Sequence, residues 1–298
     1  VVVYDDLSRG HRAAVAGGVP LVDGDVRDAG AVRDALLEGG CEAVVHMAAL
    51  AEVAESVAEP ARYRSVNVDG TAAVLAAARA ADVDRLVFSS TAAVYGAPQR
   101  TPIDEDDALA PTNPYGETKL AAEELLWQAR ERDGLGATAL RYFNACGADG
   151  ACGEDHDPES HLVPLALRAA RDGTSIRVFG EDYPTPDGTC VRDYVHVADL
   201  ADAHIAALEA LPAVQGAFNL GTGSGDSVRA VLDAVEEVTG STLRRESAPR
   251  RAGDPAVLVA GNRRAAERLG WRPRRSLADA VADAWEWMRA HPAGYPED

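Results

Sequence analysis

The chain has 298 residues, of which 47% are hydrophobic and 26% are charged, and its formal net charge is −19 at pH 7. The apolar fraction is enough for a buried core and excludes a globally disordered chain. The negative charge argues against binding to a nucleic-acid backbone, which needs a basic surface, and against docking on an anionic membrane.

Short apolar strands alternate with helical patterns through the first half of the chain. The predicted strands are residues 1–4, 21–22, 43–47, 85–89 and 137–141, and the predicted helices are 66–80 and 114–132. This alternation predicts an α/β fold with a doubly wound, Rossmann-like parallel sheet and right-handed crossovers.

The pattern loosens after about Asn144 into segments rich in Gly, Pro and Asp, and further helices are predicted at 227–238 and 277–288. We predict a nucleotide-binding domain over residues 1–144, which also receives segments from 190–222. A smaller mixed α/β substrate domain is predicted over residues 145–298.

Two early strands of the predicted sheet end in carboxylates. Asp5 follows the first strand, where it would bind the adenosine ribose of a dinucleotide if a strand and a helix precede it. Asp25 follows the second strand and would bind the adenine amine. The alternative for both is a local turn, because Asp is common at strand ends.

Hydroxyl groups follow the strand at 85–89, in Ser89-Ser90-Thr91. Ligands bind at the carboxyl ends of strands in open α/β sheets, so these hydroxyls are candidates to relay a proton or hold a substrate hydroxyl. The alternative is local capping of backbone groups.

The chain has a single lysine, Lys119, and it lies four residues after Tyr115. Every other basic residue in the Lys+Arg count is arginine, so this position needs a property that a guanidinium does not have. A spacing of four places both side chains on one face of a helix. A nearby ammonium lowers the pKa of a phenol, so we interpret Tyr115 as a general base; the alternative is an ordinary helical contact.

The segment Gly221-Thr222-Gly223-Ser224-Gly225 looks like a dinucleotide loop, but Asp226 occupies the last glycine position of that motif. We predict a tight strand-to-helix turn there. Arg192 and Arg251 would clamp a diphosphate, unless they are solvated surface residues.

No metal site is predicted, because the seven histidines and four cysteines show no ligand spacing. The cysteines are expected to be free thiols in a reducing cytoplasm.

Several motifs together resemble the UDP-glucose 4-epimerases, a group within the extended short-chain dehydrogenase/reductase family. They are SSTAAVYG, NPYGETKLAAE, LRYFNACGA, VFGEDYPTPDGTCVRDYVHVADLADAH, FNLGTGSGDSV and APRRAGDPA. The resemblance implies interconversion of UDP-glucose and UDP-galactose, in which bound NAD transiently accepts the C4 hydride of the sugar. It also implies a homodimer formed through the helices at 66–80 and 114–132. The alternatives are a UDP-N-acetylhexosamine 4-epimerase, another nucleotide-sugar oxidoreductase, or an inactive UDP-sugar-binding fragment.

The resemblance assigns roles to individual residues. Tyr115, Lys119 and Thr91 would be catalytic. The implied NAD-binding residues are Asp5, Asp25, Val26, Ala48, Asn67, Ser89, Tyr115, Lys119 and Phe143. The implied UDP-sugar-binding residues are Thr91, Asn144, Leu162, Phe179, Arg192, Arg251 and Asp254.

The sequence departs from the family pattern at several places. The family opens with a strand, a glycine-rich turn and a helix that precede the position of Val1, so we expect a truncated chain that binds NAD poorly by itself. His161 replaces an Asn that commonly contacts the sugar phosphates. Leu258 stands where a Tyr restricts some members to unsubstituted hexoses. Ala92 and Ala93 replace the acidic residue of the related dehydratases, which disfavours dehydration.

Overall fold

The computed structural model describes residues 1–251 and 253–296; residues 252, 297 and 298 of the predicted second domain lie outside that part of the chain. The strands are β1 (Val3–Asp5), β2 (Leu21–Asp23), β3 (Val44–His46), β4 (Arg85–Thr91), β5 (Gly136–Tyr142), β6 (Asn144–Cys146), β7 (Ser175–Phe179), β8 (Val191–Arg192), β9 (Tyr194–His196), β10 (Gly216–Leu220), β11 (Asp226–Ser227), β12 (Arg244–Ala248) and β13 (Val257–Leu258). The α-helices are α1 (Ala29–Glu38), α2 (Val53–Ala58), α3 (Pro60–Arg64), α4 (Gly70–Ala80), α5 (Pro114–Asp133), α6 (Leu162–Asp172), α7 (Val197–Ala210), α8 (Val228–Thr239), α9 (Arg263–Arg268) and α10 (Leu277–Ala290).

A parallel sheet with the strand order β10-β5-β4-β3 forms the centre of the molecule. Strands β1 and β2 form a separate parallel pair, in which Val3 lies opposite Leu21. The predicted α/β class with a parallel sheet is confirmed.

Helices cover both faces of the central sheet, and β4 shows why. Leu86 and Phe88 pack on one face with residues of α1, α4 and α5, whereas Val87 packs on the other face with residues of α7. Successive side chains of a strand point to opposite faces, so an uninterrupted apolar run is what a strand buried on both sides requires.

The predicted helix at 66–80 begins earlier and less regularly than expected. A π-type turn at 65–69 joins α3 to α4, so the helical backbone runs from Pro60 to Ala80. Helix α1 was not predicted, although Asp28 caps it by accepting hydrogen bonds of 3.0 Å from the backbone amides of Gly30 and Ala31. Helices α6 and α7 were also missed.

The second half of the chain builds a core of its own. Apolar residues of α6, α8 and α10 pack together with Ile176 and Val178 of β7. Strand β10 nevertheless pairs with β5, so residues 216–220 lie in the central sheet. The boundary at residue 144 remains a prediction. Within the described residues, no helix has both the length and the apolar character that a membrane crossing requires.

Candidate active site

The carboxyl end of β4 presents its hydroxyl groups in two directions. Ser90 is buried, and its hydroxyl donates a hydrogen bond of 2.5 Å to Glu123. Thr91 is partly exposed, and its Oγ1 accepts a hydrogen bond of 3.1 Å from the amide of Ala93. Thr91 thus caps a backbone amide, as the alternative to a catalytic role predicted. Its hydroxyl can still form a hydrogen bond with a further partner.

The first turn of α5 fixes Tyr115 beside this strand end. Asn113 caps the helix by accepting a hydrogen bond of 2.9 Å from the amide of Gly116, and Pro114 occupies the first turn. A Cβ at Gly116 would lie 2.7 Å from the carbonyl oxygen of Ala93. Only glycine permits this close approach, so Asn-Pro-Tyr-Gly docks α5 against the turn at 92–95.

The pKa of Tyr115 is raised in this structure. Burial is the largest cause, a hydrogen bond with the Thr91 side chain lowers the pKa in part, and the carboxylate of Glu52 raises it further. Lys119 is not among the causes of this shift, because its ammonium hydrogen-bonds the carbonyl oxygen of Ser89. A lowering of the Tyr115 pKa by Lys119 stays a prediction.

Lys119 occupies a slot beneath the strand end. The residue is 3% exposed, and Nζ donates a hydrogen bond of 2.8 Å to the carbonyl oxygen of Ser89. The ammonium also lies 5.0 Å from the centre of the Phe88 ring. Burial lowers the pKa of Lys119 to about 8, against the opposing effect of the Glu123 carboxylate. A compact ammonium fits this slot, whereas a planar guanidinium is larger and stays charged.

A buried polar network lies under the site, and sequence reasoning missed it. Arg141 forms two hydrogen bonds, of 2.9 and 2.6 Å, to the carboxylate of Glu123. Arg141 also donates to the hydroxyl of Tyr95 at 2.8 Å, and Tyr95 donates to Asn219 at 2.7 Å. Glu123 lies four residues after Lys119, which in turn lies four residues after Tyr115. This repeated spacing on one helix face is the sequence signal that would have identified Glu123.

Asp5 and Asp25 lie at the carboxyl ends of the paired strands β1 and β2, and both also make local turns. Oδ1 of Asp5 accepts a hydrogen bond of 2.7 Å from the amide of Leu7. Asp25 pairs with Arg27, and the hydrogen bond with the Arg27 side chain lowers the pKa of Asp25. Both residues thus make the local contacts that a turn requires. Binding of a cofactor by these two carboxylates stays a prediction.

Asn67 connects three segments near the end of β3. Its Oδ1 accepts a hydrogen bond of 2.8 Å from the amide of Leu50, and its Nδ2 donates to the Leu50 carbonyl at 3.0 Å and to Thr118 at 3.0 Å. Both ends of the amide are engaged by protein groups. Asn67 thus positions the backbone of Leu50 and the side chain of Thr118. Val26 packs against the core cluster that contains Leu86 and Phe88, and Ala48 is partly buried.

Four of the predicted UDP-sugar residues form two pairs, Arg192 with Asp254 and Arg251 with Phe179. The guanidinium of Arg192 lies 3.2 Å from Asp254 and also donates hydrogen bonds to the carbonyls of Val191 and Pro255. The guanidinium of Arg251 lies 4.2 Å from the centre of the Phe179 ring. Arg192 is 9% exposed and occupied by protein partners, whereas Arg251 is exposed.

Three other predicted residues have separate surroundings. Phe143 packs against the small core cluster of Val94, Tyr95 and Ile103, which also contacts Leu258. The amide of Asn144 donates a hydrogen bond of 2.8 Å to the carbonyl of Asp193. Leu162 begins α6.

The glycine-rich segment at 221–225 folds around a buried carboxylate. Asp193 accepts hydrogen bonds of 2.6 and 2.9 Å from the amides of Thr222 and Gly223. A Cβ at Gly221 would lie 2.5 Å from Oδ2 of Asp193, so glycine is needed there. The segment follows β10 as predicted, but the two-residue strand β11 separates it from α8.

A model of the NAD dependent epimerase/dehydratase family matches residues 1–221. The chain belongs to this family. UDP-glucose 4-epimerase of Streptomyces lividans is 48% identical over 301 aligned positions, which cover 100% of this chain and 91% of that protein.

Solved structures of the family have the same fold. UDP-glucose 4-epimerase of Brucella ovis in complex with NAD superposes with a TM-score of 0.93 at 45% identity, covering 96% of this chain and 90% of that one. The UDP-Glc/GlcNAc 4-epimerase of Campylobacter jejuni has a TM-score of 0.84 at 35% identity, covering 97% and 91%. The family resemblance inferred from the motifs is confirmed.

Proposed function

We propose that this protein interconverts UDP-glucose and UDP-galactose by transient oxidation of the sugar at C4. The observation that carries the proposal is the placement of Tyr115 beside the Thr91 hydroxyl at the carboxyl end of β4, with Lys119 buried one helical turn below. This arrangement lies in a chain with full-length similarity to UDP-glucose 4-epimerases.

Tyr115 acts as the general base in this proposal. The phenolic oxygen of Tyr115 takes the proton of the sugar 4-hydroxyl. The Thr91 hydroxyl orients that sugar hydroxyl, because its hydrogen bond with the Ala93 amide does not use all of its donor and acceptor positions. The same phenol returns the proton when the 4-keto group is reduced on its other face. The buried Lys119 supports the strand end that carries Thr91 through its hydrogen bond to the Ser89 carbonyl.

The residues present fit a bound NAD. Carboxylates of Asp5 and Asp25 stand at the carboxyl ends of adjacent parallel strands, where the adenosine of a dinucleotide binds in such folds. Ser89 and Lys119, which share a hydrogen bond at the carboxyl end of β4, and Phe143, which follows β5, are proposed to contact the nicotinamide half. NAD supplies a hydride acceptor for the C4 hydrogen when it is bound.

Arg251 and Phe179 are proposed to hold the UDP group. Arg251 is exposed, so its guanidinium is accessible to a diphosphate. Arg192 is buried and pairs with Asp254. Asn144 and Leu162 complete the proposed sugar and phosphate contacts.

A second candidate substrate class is the UDP-N-acetylhexosamines. Leu258 and Phe143 both pack against the small cluster of Val94, Tyr95 and Ile103. A leucine leaves more space there than a tyrosine, and that space would admit an acetamido group. The similarity to a UDP-Glc/GlcNAc 4-epimerase supports this candidate.

We also propose a homodimer formed through α4 and α5, and a cytoplasmic location. The family resemblance supports the dimer. The four cysteines are free in the described residues, which fits a reducing compartment.

The test is an epimerisation assay on the protein expressed from its natural gene, supplied with NAD. We expect UDP-galactose to form from UDP-glucose without accumulation of NADH or of a keto sugar. UDP-N-acetylglucosamine is the second substrate arm. Conversion of neither sugar, or a stable keto or dehydrated product, would overturn the proposal.

A further inference from the structure

Four potential metal ligands converge in the segment that precedes α6, although the sequence pattern predicted no metal site. They are Glu154, His156, Glu159 and His161, and one ligand atom from each lies within 4.8 Å of all the others. The segment therefore carries the pattern Glu-x-His-x-x-Glu-x-His.

The ligand atoms already contact one another in pairs, and their separations would have to open by no more than about 0.6 Å to reach those of a coordination sphere. Nδ1 of His161 lies 2.7 Å from Oε1 of Glu154 and 3.1 Å from Oε1 of Glu159, and Nδ1 of His156 lies 3.3 Å from Oε1 of Glu154. Zinc bound to nitrogen at about 2.0 Å and to oxygen at about 2.1 Å in a tetrahedron holds its ligands roughly 3.3 Å apart.

One atom of the cluster, Oε2 of Glu159, is buried and has no hydrogen-bond partner among the described residues. Nδ1 of His156 has only its contact of 3.3 Å with Glu154. The Glu159 side chain is 1% exposed, and the nearest cation to its Oε2 is Arg168 at 4.0 Å. A buried carboxylate oxygen without a partner is costly, and a cation bound in the cluster removes that cost.

We propose that Glu154, His156, Glu159 and His161 bind one zinc ion. Two carboxylates neutralise the divalent charge while both imidazoles stay neutral, and a set of two imidazoles with two carboxylates favours zinc over the oxygen-preferring magnesium. All four ligands come from protein, which is typical of a structural rather than a catalytic zinc site.

The site joins the segment before α6 to the first half of the chain. Ser160, next to the ligand Glu159, donates a hydrogen bond of 2.8 Å to Glu52, and the carbonyl of Asp157 accepts one of 3.2 Å from Arg9. Glu52 is also a carboxylate that acts on Tyr115. Zinc would thus hold the start of α6 against the side of the active site.

The test uses the protein expressed from its natural gene, first stripped with a chelator and then given zinc alone. We expect one zinc ion per chain after gel filtration, and a rise in Tm that magnesium does not produce. Cobalt in place of zinc should give the visible absorption of a tetrahedral site.

Variants separate this site from adventitious binding. Glu159→Gln keeps the shape of the side chain and removes its charge, and His156→Asn removes a second ligand; each should lose the bound zinc and the rise in Tm. His291→Asn, outside the cluster, should retain both. Circular dichroism establishes that each variant is folded. Absence of retained zinc in the wild type, or equal zinc in the cluster variants, would overturn the proposal.

Discussion

Replacing Tyr115 by phenylalanine is expected to lower kcat for epimerisation by about 10²–10⁴-fold, the range in which general acid–base groups contribute. The change removes one oxygen atom and leaves the ring that packs at the start of α5. Substrate contacts are retained, so KM should change little. The measurement is steady-state conversion of UDP-glucose with NAD present.

Tyr295→Phe is a matched control, because it removes a phenolic hydroxyl that pairs with the backbone of Gly153, away from β4. Its kcat should stay close to that of the wild type. If Tyr115→Phe retained the wild-type kcat, another group would have to move the proton, and the role of Tyr115 would be wrong.

Lys119→Met is expected to abolish most of the activity and yet to stabilise the fold at pH 7. Burial lowers the pKa of this lysine from 10.5 to about 8. At pH 7 the side chain is charged in both folded and unfolded protein, so the folded state carries the full cost of a buried ammonium. That cost is on the order of 3 kcal/mol, and the methionine variant does not carry it. The variant also lacks the hydrogen bond to Ser89, which reduces its gain in stability by about 1 kcal/mol.

The pH dependence of the free energy of unfolding tests whether the buried ammonium causes this difference in stability. Between pH 8 and 10.5 the unfolded wild type binds more protons than the folded wild type, so the free energy of unfolding rises with pH in that window. The methionine variant lacks this rise, so its advantage should shrink from pH 8 to pH 10. Urea unfolding of both proteins at pH 7 and pH 10 measures the difference. A constant difference between the two would contradict the buried-ammonium explanation.

The sequence predicted those parts of the site whose determinants are local. The isolated lysine, the strand-end hydroxyls and the Asn-Pro-Tyr-Gly helix start are read directly from neighbouring residues, and the structure brings Thr91, Tyr115 and Lys119 together. The pairing of Glu123 with Arg141 joins residues 18 positions apart through the packing of α5 on β5, and spacing alone does not reveal it.

Charges were harder to predict than positions. The sequence suggests that Lys119 acts directly on the Tyr115 phenol, but the ammonium binds the carbonyl of Ser89 and burial dominates both pKa values. The Glu154 and His161 cluster was missed because its ligands follow no common metal motif, and only the fold of the segment before α6 brings them together.

The most direct test of the account follows the hydrogen at C4. UDP-glucose carrying deuterium at C4 is converted by the protein expressed from its natural gene, with NAD present, in ordinary water. We expect UDP-galactose that keeps the deuterium at C4, formed more slowly than from the unlabelled sugar. Product in which solvent hydrogen has replaced the deuterium would contradict transient oxidation at C4.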